Sequence, residues 1–350
     1  MSSLSTNLVQ PRVLGPLLLL GLLGTCALAL ASGAYAVEWG RLGEVLRDAL
    51  LLREAAPEDM DALVVRDLRL PRLLLAVVVG ASLAVCGALM QGMFRNPLAD
   101  PALLGVSGGA AFGASLAMVW ASSLAGPWAT AAPALAACAG GTGVSLLVVA
   151  LGRVGRNSNT SNLLLTGIAL QALMAAATGA VIYVADDAAL RSITFWMMGG
   201  LGGASWGQLA LVCPVLLLAL LASTRLARSL DALLLGESEA GHLGVSVRTL
   251  KRRLVLLSTV LVAVATAVAG IIGFVGLVVP HIVRLLCGPG HRHLLPLTAL
   301  LGALLLLTAD TAARTLIEHQ ELPVGIFTTA CGAPFFLWLV ARGRRQGGLG

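Results

Sequence analysis

Apolar runs of membrane-spanning length follow one another along most of this chain, separated by short polar breaks. The first covers about residues 13–35, and the second begins at Leu70-Pro71-Arg72 and ends near Gln91. Pro71 falls where a helix tolerates proline, in its first turn. Further runs end near Trp120 or cover about 133–152, 162–184, 207–225, 254–272, 274–290, 294–313 and 322–341. A hydrocarbon core takes about 20 residues of helix to cross. The pattern predicts an all-α, polytopic membrane protein of ten transmembrane helices, forming one transmembrane domain over residues 1–350. Arg12 and Ala27-Leu28-Ala29 give the first run some likeness to a signal peptide, but its apolar core is too long for one.

The breaks carry as much information as the runs. In residues 36–69, Trp39, Leu42, Val45, Leu46 and Leu50 recur near helical spacing among charges, which predicts an amphipathic helix on the outer membrane surface. Residues 92–110 hold Pro97, Pro101, Gly105, Gly108 and Gly109, which rule out a plain helix. Residues 186–206 are apolar but too short and glycine-rich to span, so a short re-entrant helix is expected there. Residues 233–253 read LLLGESEAGHLGVSVRTLKRR, too polar for hydrocarbon and too patterned for a slack linker. Glu237 to Leu243 predict one short helix, and Ser246 is placed to cap a second that runs to Arg253.

Composition agrees with the pattern. Hydrophobic residues make up 58% of the 350 and charged residues 11%, against about 25% charged in soluble domains. The net charge of +6 reflects loop asymmetry rather than a nucleic-acid partner. Of 23 Lys and Arg, fifteen fall on the side assigned to the inside, two (Arg191 and Arg314) in short outside loops, and six around the long first loop. That bias places both termini in the cytoplasm. Spans two to five and seven to ten then run in opposite senses, as inverted repeats do. The six cysteines lie singly, mostly in apolar runs, and read as small packing residues.

Ionisable groups within the spans are few; Asp310 and Arg314 form an i,i+4 pair near an outer end. An ion-coupled secondary transporter would carry more carboxylates at mid-membrane. Gly105-Val106-Ser107-Gly108, with His281, permits a rhomboid-like intramembrane protease, on a weak four-residue match. Cys287, His291 and His293 lack a fourth ligand, so no metal site is expected. His281 follows Pro280, expected to break the eighth span near its start, and reads as a packing or hydrogen-bonding residue. Met90, Met174, Met197 and Met198 offer a soft surface to a passage, although simple core packing accounts for each alone.

Several stretches together resemble the permease subunits of bacterial type II ABC importers for iron chelates, haem and vitamin B12. They include RLPRLLLAVVVGASLAVCGALMQGMFRNPLADPALLGVSGGA, ITFWMMGGLGGASW, LLLGESEAGHLGVSV, GFVGLVVPHIVRLL and ELPVGIFTTACGAPFFLWLV, covering about Arg69 to Arg342. The resemblance implies an inner-membrane homodimer with one passage, two cytoplasmic ATP-binding subunits and a periplasmic substrate-binding protein. It implies no bond chemistry in the permease and no resident cofactor, ATP being used by the partner. It implies ATPase coupling at Gly236, Glu237, Leu243, Gly244 and Val245, and docking of the binding protein at Arg69, Arg72 and Arg314. The fifth and tenth spans, with Met174, Trp196, Met197, Met198 and Gly199, would border the passage. Met93-Phe94-Arg95-Asn96-Pro97 and Pro334-Phe335-Phe336-Leu337-Trp338 are most similar to haem permeases, with a ferric siderophore or cobalamin as the alternative cargo.

Overall fold

The computed structural model describes residues 9–33, 35–50, 59–121, 127–152, 160–317 and 320–347, and among them there is no strand. The chain runs α1 (Pro11–Ala31), α2 (Trp39–Leu50), α3 (Met60–Leu63), α4 (Leu70–Phe94), α5 (Val106–Ala121), α6 (Pro127–Leu151), α7 (Thr160–Val184) and α8 (Asp187–Met198). It continues through α9 (Trp206–Thr224), α10 (Ala227–Leu234), α11 (Glu237–His242), α12 (Val247–Ala269), α13 (Val275–Cys287), α14 (His291–Thr315) and α15 (Val324–Gly347). Helices α1, α4, α6, α7, α9, α12 and α14 are long and apolar enough to cross a membrane, and α5, α13 and α15 add shorter apolar stretches. These are the ten expected spans. Arg153 and Arg156, used for the orientation, lie outside the described residues.

Helix α4 is the axis of the bundle. It packs on α14, α12, α13 and α9, and nearly all of its side chains from Leu73 to Met93 are buried. The pairing of helices repeats in the two halves. In one, α5 packs on α6 and α7; in the other, α13 packs on α14 and α15. The halves then exchange contacts, α4 with α13 and α14, and α12 with α5 and α6. That is the arrangement expected of inverted repeats.

Glycine sets how closely these helices approach. A Cβ at Gly87 would lie 1.7 Å from the Gly276 carbonyl oxygen, and one at Gly80 would lie 2.4 Å from that of Gly302. Helix association in lipid depends on such close packing, because lipid tails remove the hydrophobic drive between helices.

Three expectations are corrected. The second span does not begin at Leu70: the helix starts at Met60 and passes through a π-helical stretch, Val64–Arg69, before continuing as α4. Pro71 lacks an N–H and its ring crowds the preceding turn, and the widened turn accommodates both. Ser246 starts no separate short helix, because Val247 to Ala269 is one continuous span. The Ser246 hydroxyl donates to Thr249 Oγ1 (3.0 Å) instead of capping the backbone, and an additional helix, α10, precedes Gly236. Pro280 does not break its span but sits inside α13. Proline there leaves carbonyls of the preceding turn without donors. Gln91 Nε2 of α4 supplies one, donating to Leu277 O at 3.2 Å and more weakly to Gly276 O at 3.4 Å. The amphipathic helix is present as α2, with Leu42 and Val45 buried and Trp39 exposed.

Gly87→Val is expected to cost about 3 kcal/mol or more, or to prevent folding, because backbone on both sides resists the overpacking. Gly143→Ala, where a Cβ meets nothing within 4 Å, serves as the control. Thermal unfolding in detergent should show a large loss for the first and none for the second.

Candidate functional site

The polar groups of the protein gather at the two ends of the bundle. At the end where α4 finishes and α12 begins, α10 and α11 form a shelf. Leu230, Leu233 and Ala240 are fully buried beneath it and anchor it to α4, α14 and α12. Lys251 Nζ donates to Glu237 Oε1 (2.7 Å), fastening the start of α11 to α12. The Asp231 carboxylate of α10 accepts from the His291 backbone N–H and meets His291 Nδ1, both at 2.8 Å, which ties the shelf to α14. Arg284 Nη1 donates to Gln91 Oε1 (2.9 Å) close by.

The shelf presents Leu243, 63% exposed, next to Gly244. Gly244 has φ +82, which a β-branched residue resists, and open space where a Cβ would stand. Gly236 (φ +122) starts α11, and Val245 is half-buried with its N–H donating to Ala240 O (2.9 Å). The five residues expected to couple are therefore brought together on one surface. Glu237 differs from the rest in being held by Lys251.

At the opposite end, Arg69, Arg72 and Arg314 were expected to present a basic patch, but they are turned inward. Arg69 is buried and donates to the carbonyls of Leu30, at the C-terminus of α1, and Tyr35, just beyond it. Arg314 Nη2 donates to Ala29 O (3.1 Å). Arg72, with a side chain 11% exposed, clasps Asp310 through Nε and Nη2 at 3.0–3.1 Å. Its Nη1 reaches Glu321 at 2.8–3.0 Å. Asp310 is 1% exposed and Glu321 57%. The expected Asp310–Arg314 pair exists at 3.4 Å, but Arg72 is the closer partner of Asp310. Burial makes these partners mandatory, since an unpaired buried charge is expensive. Glu321 was not singled out from sequence; its place just before the tenth span was the available signal.

Beside this cluster three glycines meet, two of them ending helices α8 and α12 and one in the first turn of α15. Cβ atoms at Gly199, Gly270 and Gly325 would lie 2.4, 2.2 and 2.1 Å from the carbonyl oxygens of Ile271, Trp196 and Met198. The end of α8, the turn after α12 and the start of α15 thus touch backbone to backbone. Trp196 packs with Ala110, Ala114, Ala137 and Ala267, whereas Met197 and Met198 are exposed. Met174 is half-buried on α7, and α8 packs mainly on α5 and α15 rather than on α7. Phe274, with φ +66, lies where a Cβ on Gly332 of α15 would collide with it. Its strained backbone was not foreseen; the glycine opposite it was the only trace in sequence. His281 has both ring nitrogens buried without a hydrogen-bond partner. Among the described residues no cluster of His, Cys, Asp and Glu is able to hold a metal ion.

A model of the FecCD transport family matches residues 19–342. The chain belongs to the FecCD transport family. It is 46% identical over 342 residues to the hemin transport system permease protein HmuU of Yersinia pestis, covering 97% of this chain and 98% of that protein. It is also 46% identical over 277 residues to the vitamin B12 import system permease protein BtuC of Vibrio vulnificus, covering 79% and 82%. A solved inward-facing structure of a metal-chelate type ABC transporter superposes with a TM-score of 0.82 at 34% identity, covering 95% of this chain and 99% of that one. The FecCD chain is a multi-pass membrane permease, and its relatives are transport proteins.

Asp310→Asn is expected to destabilise the protein by about 3–5 kcal/mol, because Arg72 loses its buried counter-charge. Glu321→Gln should cost no more than about 1 kcal/mol, being an exposed partner. Chemical denaturation of the two variants in detergent checks the contrast, and equal losses would contradict it.

Proposed function

We propose that this FecCD permease forms, with a second copy of itself, the passage of an ATP-driven importer for haem. The observation that carries the reading is the end-to-end correspondence with a hemin permease, at 46% identity over nearly the full length of both chains. Two ATP-binding subunits dock on the α10–α11 shelf, where exposed Leu243 and the left-handed Gly244 offer a shaped apolar contact. The protein lies in the bacterial inner membrane with both termini on the shelf side. The exposed faces of α7, α8 and α15, including Phe195, Met197, Met198 and Ile326, face the second copy and the passage.

A periplasmic binding protein delivers the cargo at the opposite end. Because Arg72 is occupied, an acidic residue of that protein reaches it by displacing Glu321, the only one of its two carboxylates that is exposed. Buried Asp310 stays in place as the fixed half of the clasp. The permease itself holds no cofactor and breaks no bond; ATP is hydrolysed in its partners.

A titration of the binding protein with haem, a ferric siderophore and cobalamin tests the cargo. Haem should bind at least about tenfold more tightly than the other two, a difference of about 1.4 kcal/mol. Preference for the siderophore or cobalamin would overturn the haem assignment.

A further inference from the structure

Helix α8 carries one face that the packing of the bundle does not use. Its buried side chains, Ala189 and Ile193, share a face with half-buried Trp196, and the helix packs on α5 and α15. On the opposite face Arg191, Phe195 and Met198 follow at helical spacing, all exposed. The hydroxyls between them are turned back on the helix itself. Ser192 donates to Ala188 O (2.9 Å) and Thr194 to Leu190 O (2.7 Å). Asp186 is occupied as the cap, accepting from the Ala189 N–H (2.7 Å). Arg191 makes no hydrogen bond or ion pair among the described residues, not even with Asp187 one turn before it. Its guanidinium is free.

The helix is entered from the outer end of α7 and descends into the bundle. Trp196 packs with Ala110 and Ala114, near the middle of α5. The close approaches of Gly270 to Trp196 and of Gly325 to Met198 hold this deeper end in place. Arg191 precedes Met198 by about 10 Å along the helix axis, toward the outer end. The face therefore offers a cation near the outer surface, with an aromatic ring and a thioether below it, on a firmly held element.

We propose that this face is the entry site for haem, with Arg191 as its specificity-determining residue; the inference rests on the haem reading above and on α8 bordering the passage. Haem is a flat apolar macrocycle with two carboxylates on one edge. Its body lies against Phe195 and Met198, since a ring and a polarizable sulfur both suit a flat π surface. Its carboxylates then point toward the outer end, within reach of Arg191, whose planar fork of donors matches a carboxylate. Cobalamin carries amides where a porphyrin carries carboxylates, so it gains nothing from the guanidinium charge.

Soret titrations of the full-length permease, assembled with its ATP-binding subunits in nanodiscs and corrected with empty nanodiscs, read the site directly. They compare haem with its dimethyl ester, in which both carboxylates are blocked. Wild type should bind haem about tenfold more tightly than the ester, the effect of one charge-assisted hydrogen bond. Arg191→Gln should bring haem down to the affinity of the ester, and Arg191→Lys should keep part of the difference. Phe195→Ala should weaken both compounds alike. Equal binding of haem and ester by wild type, or discrimination that survives Arg191→Gln, would overturn the site. Loss of the permease dimer in Arg191→Gln on size-exclusion chromatography would overturn it too, making this face a contact between the two copies. Haem uptake into proteoliposomes by the complete wild-type system separates the two levels. Uptake without discrimination overturns the site alone, and no uptake of haem overturns the haem reading with it.

Discussion

The contact of backbone on backbone around α4 is the constraint on which everything else rests. Gly87 meets Gly276, Gly80 meets Gly302, and no side chain fits between them. In lipid, association comes from packing and hydrogen bonds rather than from withdrawal of apolar surface from water. Once α4, α13 and α14 approach this closely, Gln91 falls within reach of the carbonyls that Pro280 leaves open, and Arg284 within reach of Gln91. A proline that would weaken an isolated helix becomes the source of a specific cross-link between helices.

The same approach brings charges together at the ends of the bundle and leaves its middle nearly neutral. At one end Arg72 clasps Asp310 and Glu321 while Arg69 and Arg314 hold the last carbonyls of α1 and the segment after it. At the other, Lys251 with Glu237 and His291 with Asp231 fix the shelf to α12 and α14. Beside the Arg72 cluster, Gly199, Gly270 and Gly325 join three segments next to the exposed methionines. A rigid axis with a bracket at each end is suited to transmitting a displacement of the shelf to the opposite end.

Most of the architecture was legible in the sequence because it follows from hydropathy. The ten runs became ten helices, and the short segment at residues 187–198 was expected as a helix too short to span. Junctions were less legible. Continuity from Met60 through Leu70 and from Val247 into the span depends on a π turn and on an unused cap, and neither has a composition signature. The side-chain surroundings of the arginines were least legible. Arg72 lies 238 residues from Asp310 in sequence, so their pairing is a product of the folded bundle alone. The shelf residues were found together because they are adjacent in sequence.

Among the described residues the spans hold few carboxylates, and the proposed reading has an ATP-binding subunit act on the exposed shelf in place of an ion gradient. Uptake of haem into proteoliposomes holding the permease, its ATP-binding subunits and its binding protein tests this most directly. The expected result is uptake that requires ATP in the vesicle lumen, on the side opposite the binding protein, and that persists when proton and sodium gradients are collapsed. Uptake that continues without ATP and stops when those gradients are removed would contradict it.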